Sequence, residues 1–277
     1  MSDNAGSVMM GEEFPDGMGG MTLEDIPFGS APLGETSKTL RVTFYLPDNR
    51  DQSVPLLVWY HAGAFRSGTY NHASHRKIAR WLDQKGIALA TPEYRLGAVR
   101  GDLSEHVQDN LERLRGLRDP RFRRDLAQAR SLAALEDSLS FLNWLRPRCD
   151  EMGIGGRIVL GGSSAGAINV FNICFTAPFL DMMLPVEIGG LLSYSGGYAY
   201  PSLYVSERLP VFAAHNPDDD RVSIHSIRHL AQLDPRIDLI ESREQDHGSV
   251  KIFNDENKHV SFGRMISHIW RMSGLRD

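Results

Sequence analysis

A single α/β domain on a mostly parallel sheet, with helices on both faces, is the fold class this 277-residue sequence predicts. Short unbroken apolar runs, Leu56–Tyr60 among them, read as strands covered on both faces of a sheet. Helical stretches alternate with these runs. Strand, helix and strand in succession imply parallel pairing through right-handed crossovers. The length and the 42% hydrophobic content are enough for one large core, and no repeat or second boundary divides the chain.

Residues 1–30 are set aside as an N-terminal arm. The first 21 are rich in Met, Gly and acidic residues and show no period of 2 or 3.6. The domain proper is read over 31–277. Leu40, Val42, Phe44 and Leu46 alternate with more polar residues, the pattern of a half-buried, antiparallel N-terminal strand. A turn over 47–52 leads to the buried run Leu56–Tyr60. Residues 76–84 read as a helix with Ile78, Trp81 and Leu82 inward, closed by Gly86, and 87–91 as the next strand.

Between Tyr94 and Ser131 lies a polar stretch dense in arginine, including Arg121, Arg123 and Arg124. It is expected as a polar helical insertion over 97–131. The plain reading is a solvated helical hairpin. The sharper one is a lid over the site, its arginines favouring a substrate with a carboxylate or phosphate. Leu132, Leu135, Leu139 and Leu142 then mark one face of a helix that Pro147 stops. Strands at 158–160, 191–194, 211–214 and 237–240 are interleaved with helices at 165–175, 223–233 and 262–272.

The formal charge of −5 gives no reason to expect nucleic acid as a partner. No apolar stretch approaches the ~20 residues of a membrane span. No basic segment followed by an apolar one opens the chain. The only two cysteines, Cys149 and Cys174, read as reduced thiols, so a cytoplasmic protein is expected. Neither a CxxC pair nor an HExxH motif occurs, which argues against a zinc site. A homo-oligomer is left open.

The stretch "LGGSSAGA" at 160–167 stands between an expected strand and an apolar helix. Gly162, Ser163, Ser164, Ala165 and Gly166 have the form G-x-S-x-G. Glycines permit the sharp strand-to-helix reversal, which pushes the middle residue, Ser164, up at the sheet edge beside a helix N-terminus. A phosphate loop is disfavoured because no Gly-Lys-Ser/Thr follows. A reactive serine needs a base, a group that orients the base, and donors for an oxyanion. Small residues in His61-Ala62-Gly63-Ala64-Phe65 let Gly63 and Ala64 offer backbone N–H groups, with Ala165 as the third donor. His61 itself reads as structural. The expected base is His247, in the loop beyond the last strand and followed by Gly248. The orienting acid comes from Asp218-Asp219-Asp220. An inward-packed Val222 would turn Asp219 toward the site, with Asp220 as the runner-up.

The order Ser164, Asp219, His247 resembles that of the α/β-hydrolase fold, specifically the carboxylesterase branch related to hormone-sensitive lipase. The resemblance rests on "WYHAGAF", "TPEYRLG", "ALEDSLSFLNWL", "GGSSAGA", "HNPDDDRVSIHS" and "DHGS", and runs from about residue 40 to 272. It implies a serine esterase acting on a small-molecule ester through an acyl-enzyme, with no metal or organic cofactor. The sequence departs from the family at Ala62 and Ala64, where glycine is usual, and in the insertion, which replaces a short proline-containing link. Alternatives on the same residues are an arylformamidase or other amidase, a thioesterase, or a ligand-binding homologue without activity.

Overall fold

The computed structural model describes residues 12–13, 20–48, 52–206, 208–243, 246–248 and 256–275. Among these residues nine strands form one sheet: β1 (Glu12–Glu13), β2 (Met21–Leu33), β3 (Thr36–Leu46), β4 (Leu56–Tyr60), β5 (Ala88–Pro92), β6 (Ile158–Ser163), β7 (Ile188–Tyr194), β8 (Val211–His215) and β9 (Ile237–Glu241). Their spatial order is β1-β2-β3-β5-β4-β6-β7-β8-β9. The six strands from β5 to β9 pair in parallel, and β1, β2 and β3 pair antiparallel at one end. The helices are α1 (Ala73–Asp83), α2 (Glu105–Leu117), α3 (Ala129–Leu145), α4 (Ala165–Phe171), α5 (Ala177–Phe179), α6 (His225–Leu233) and α7 (Glu256–Ser273).

The unbroken apolar runs have the reason the sequence suggested. In β4, Leu56, Val58 and Tyr60 enter one core, while Leu57 and Trp59 enter the other. The period of two is intact, but both faces are covered, so no polar residue marks the alternation. The larger core lies under α3, α4 and α6, with Leu132, Leu135, Ile168, Val170 and Ile227. The smaller lies under α1 and α7, with Ile78, Leu82, Met265 and Ile269. Each such side chain stabilises the fold by about 1.5–3 kcal/mol before ordering costs.

Four expectations need correction. The arm does not extend to residue 30, because Met21–Leu33 is β2 and buries Leu23 and Phe28. Its period of two was hidden by register shifts between Leu23 and Ile26 and between Pro27 and Gly29. Residues 1–11 and 14–19 of the expected arm lie outside the described residues. Strand β3 is half-buried only at its start; from Val42 to Leu46 both faces are covered. The helix expected over 165–175 changes at Phe171 into a π-helical turn, Asn172–Thr176. The insertion is not a solvated hairpin. It holds one helix, α2, whose Val107 and Leu114 join the larger core, and short 3₁₀ turns at Arg100–Asp102 and Arg124–Leu126.

Candidate active site

The topology creates a crevice before any side chain is considered. From β4 the chain passes through α1 to β5 on one side, then through α3 to β6 on the other. These two crossovers lie on opposite faces, so a cleft opens at the C-terminal edge between β4 and β6. The loops after β4, β6, β8 and β9 all leave from that edge. They carry His61–Phe65, Ser164, Asp219 and His247 respectively.

Ser164 caps α4 with φ 52° and ψ −114°, a conformation side chains rarely adopt. It is held there by its own N–H bond to the Tyr194 carbonyl (2.8 Å) and by Ile168 N–H bonding its carbonyl (3.0 Å). The flanking glycines are sterically required. A Cβ on Gly162 would lie 2.4 Å from the Gly166 carbonyl carbon, and one on Gly166 would lie 2.0 Å from the Tyr60 oxygen.

Three side chains distant in sequence meet in a chain of hydrogen bonds. The His247 Nε2 lies 2.8 Å from Ser164 Oγ. Its Nδ1 lies 2.7 Å from Asp219 Oδ2 and 3.0 Å from Oδ1. Asp219 is fully buried as a side chain and accepts N–H bonds from Arg221 (2.9 Å) and Val222 (3.0 Å). Burial pushes its carboxyl upward, but the bonds from His247, Val222 and Arg221 outweigh that and hold it below the usual carboxylate range. Val222 packs inward, and Asp219 is the member of the acidic run that meets His247. Asp218 faces solvent and pairs with Arg243 at 3.0 Å, and Asp220 is exposed.

The loop after β4 brings backbone donors to the same cleft. Gly63 has φ 128°, and Ala64 and Phe65 also lie in the positive range, at 52° and 59°. Its turn is closed by Arg66 N–H and Ser67 N–H, both bonding the Gly63 carbonyl. Among the described residues, nothing accepts a hydrogen bond from the N–H of Gly63, Ala64 or Ala165. His61 makes no hydrogen bond to Ser164, His247 or Asp219. It is buried, stacks on Tyr94 with centroids 4.2 Å apart, and is pushed down to about 4 by burial, which keeps it neutral. Tyr94 donates its hydroxyl to the His61 carbonyl at 2.8 Å.

The insertion docks on the same sheet edge. Asp119 N–H bonds the Ala199 carbonyl (2.9 Å) beyond β7, and Arg123 Nη1 bonds the Arg221 carbonyl (3.2 Å) beyond β8. Two of the arginines on which the lid reading leaned are occupied locally. Arg121 pairs with Asp119 and Arg123 with Asp125, each at 2.8 Å.

No protein-family model matches the chain. It is 26% identical over 148 residues to carboxylesterase 5A of Felis catus, covering 51% of this chain and 22% of that protein. It is 27% identical over 153 residues to a probable N-octanoylanthranilate hydrolase, AqdA2, of Rhodococcus erythropolis, covering 53% of this chain and 28% of that one. The matched part spans about a quarter of these curated relatives. Among solved structures, Thermogutta terrifontis esterase 2 phosphonylated by cyclosarin superposes with a TM-score of 0.62 at 14% identity, covering 91% of both chains. A bacterial heroin esterase superposes with a TM-score of 0.60 at 18% identity, covering 93% of this chain and 85% of the other. The chain has the α/β-hydrolase fold. The antiparallel end, the parallel body and the elbow at Ser164 are that fold's parts in their usual order.

Within the α/β-hydrolase fold, sequence reasoning missed three supporting residues. His215 ends β8 behind Asp219, with Nε2 bonding the Val222 carbonyl at 2.8 Å. Tyr94 holds the loop after β4. Arg95, buried beside it, binds Asp137 at 2.9 Å and the carbonyls of Pro32 (3.0 Å) and Asp102 (2.6 Å), so it ties the insertion to α3 and the β2–β3 hairpin. The signal was present as "YRL", but nothing local in it names these partners. Among the described residues no helix is long and apolar enough to cross a membrane.

Proposed function

We propose that the chain is a carboxylic ester hydrolase in which Ser164 is the nucleophile, His247 the general base and Asp219 the orienting acid. The observation that carries this is the placement of one imidazole between Ser164 Oγ (2.8 Å) and Asp219 Oδ2 (2.7 Å). A hydroxyl alone is a weak nucleophile near neutral pH, and an adjacent base removes that limit. His247 takes the Ser164 proton as Oγ attacks the acyl carbon. Asp219 fixes the Nδ1–H tautomer and stabilises the imidazolium that forms. The N–H groups of Gly63, Ala64 and Ala165 are assigned as the oxyanion donors, each contributing on the order of 3–4 kcal/mol to lowering the barrier. His247 then returns the proton to the alcohol that leaves. Water, activated by the same imidazole, releases the acid from Ser164. No step requires a metal or an organic cofactor. The esterase names among the structural neighbours and the carboxylesterase name of one relative support the ester as substrate.

The test is covalent labelling with a fluorophosphonate and turnover of 4-nitrophenyl acetate. Wild type and Ser163→Ala are expected to label and turn over, and Ser164→Ala to do neither. Labelling that survives in Ser164→Ala, or maps to Ser163, rejects the assignment.

A further inference from the structure

Outside the Ser164 cluster lies a cavity of about 790 Å³ lined by Arg66, Arg100, Arg115, Arg118, Arg124 and Arg130, with Glu112 the one carboxylate among its described lining residues. Its volume is that of a small-molecule site. Elsewhere on the surface arginines find acids. Arg76, Arg121, Arg123, Arg228 and Arg236 each meet a carboxylate at 2.5–3.0 Å. Around the cavity this fails. Among the described residues Arg100, Arg118, Arg124 and Arg130 form no ion pair. Arg66 reaches Asp125 only at 3.8 Å, and that carboxylate already holds Arg123 at 2.8 Å. The Arg115–Glu112 pair is 3.5 Å long and exposed on both sides, so it contributes little.

Two backbone bonds join this cavity to the loop that follows β4. Arg66 N–H bonds the Gly63 carbonyl at 2.9 Å, and Gly97 N–H, on the cavity wall, bonds the Phe65 carbonyl at 2.9 Å. The wall is therefore continuous with the segment that carries Gly63 and Ala64. Between the guanidinium groups the lining is aliphatic, with Ala98, Val99, Leu111 and Ala127.

We propose that this cavity holds the anionic end of the substrate, an ester whose acid or alcohol part carries a carboxylate or phosphate on a short aliphatic segment. The proposal rests on the hydrolase reading above. Guanidinium groups bind such oxyanions through paired, charge-assisted bonds. A concave wall of one sign concentrates ligands of the other sign, even on a chain whose formal charge is −5. The aliphatic patches accept the segment between the anion and the scissile bond.

The test compares wild type with the triple variant Arg100→Gln, Arg115→Gln, Arg124→Gln, none of which touches the Ser164 cluster. Three esters are used: neutral 4-nitrophenyl acetate, mono-4-nitrophenyl glutarate with its carboxylate on the acid part, and 4-acetoxybenzoate with its carboxylate on the alcohol part. The variant is expected to raise KM at least about tenfold for one of the two anionic esters, with kcat within about twofold and the neutral ester unaffected. Which ester responds tells which part of the substrate occupies the cavity. Unchanged KM for both anionic esters overturns the proposal. Calorimetric titration with glutarate and with inorganic phosphate separates the two readings. If wild type turns over none of the esters, the hydrolase reading fails. Binding of either anion that the variant loses then keeps the cavity as an anion site, and absence of binding removes it.

Discussion

The Oδ2 atom of Asp219 lies 2.7 Å from His247 Nδ1 and 3.4 Å from His215 Nε2, so one buried carboxylate faces two imidazoles. The two rings differ in what else they touch. His247 reaches Ser164, while His215 is buried and bonds the Val222 carbonyl at 2.8 Å. Burial holds the His215 imidazole below its ordinary range, which disfavours its charged form beside Asp219.

Asp219→Asn is expected to lower kcat by roughly 10⁴, the size seen when the equivalent carboxylate of a serine protease is lost. The amide no longer selects the Nδ1–H tautomer. Asp218→Asn and Asp220→Asn, both at exposed positions, are expected to stay within about twofold. Steady-state kinetics on 4-nitrophenyl acetate decides, and a large loss at Asp220 with none at Asp219 would contradict the geometry.

Gly63→Ala is expected to cost about 10²–10³ in kcat, the range for losing one oxyanion donor. The added Cβ would sit 1.9 Å from the Ser67 carbonyl oxygen, so the turn must open and its N–H groups must re-aim. Gly101→Ala is the control, since nothing lies within 4 Å of its Cβ. A Gly63→Ala protein with full kcat would exclude this loop from the chemistry.

Breaking the buried Arg95–Asp137 pair is expected to cost about 3–5 kcal/mol in Arg95→Met, which leaves the Asp137 carboxyl buried without its guanidinium partner, and less in Asp137→Ala, where Arg95 keeps Glu136 at 2.9 Å. Both side chains are 2% exposed, and their closest approach is 2.9 Å. Urea unfolding of Asp137→Ala and of Arg95→Met measures this. The double variant Arg95→Met, Asp137→Leu is expected to recover part of the loss. Additive losses would show that the charges are not coupled.

Stability is expected to fall as pH drops from about 6.5 toward 4, partly through His75. Its Nδ1 lies 2.6 Å from the Tyr70 carbonyl, and burial pushes its pKa from 6.5 down to about 4. A group lowered on folding binds its proton first in the unfolded chain. Its contribution is therefore complete above 6.5 and is lost as pH falls through the window to about 4. At pH 5, His75→Gln is expected to reduce the proton uptake on unfolding by about one. An unchanged slope of unfolding free energy against pH would rule this out.

What the sequence determined by itself was whatever short windows encode. Ser164 was legible because a sharp strand-to-helix reversal needs glycines on both sides, a steric demand confined to five residues. Strands β4, β6 and β8 were legible because coverage on both faces leaves an unbroken apolar run. The tertiary structure decided what depends on register and strand order. It brought His247 to Ser164 across 83 residues and to Asp219 across 28. It drew Met21–Leu33 into the sheet, where two register shifts had scrambled the alternation. It also settled which arginines of the insertion meet an acid and which face a cavity. Charge pairing over a folded surface follows distances between side chains, and those are set by packing rather than by neighbourhood along the chain.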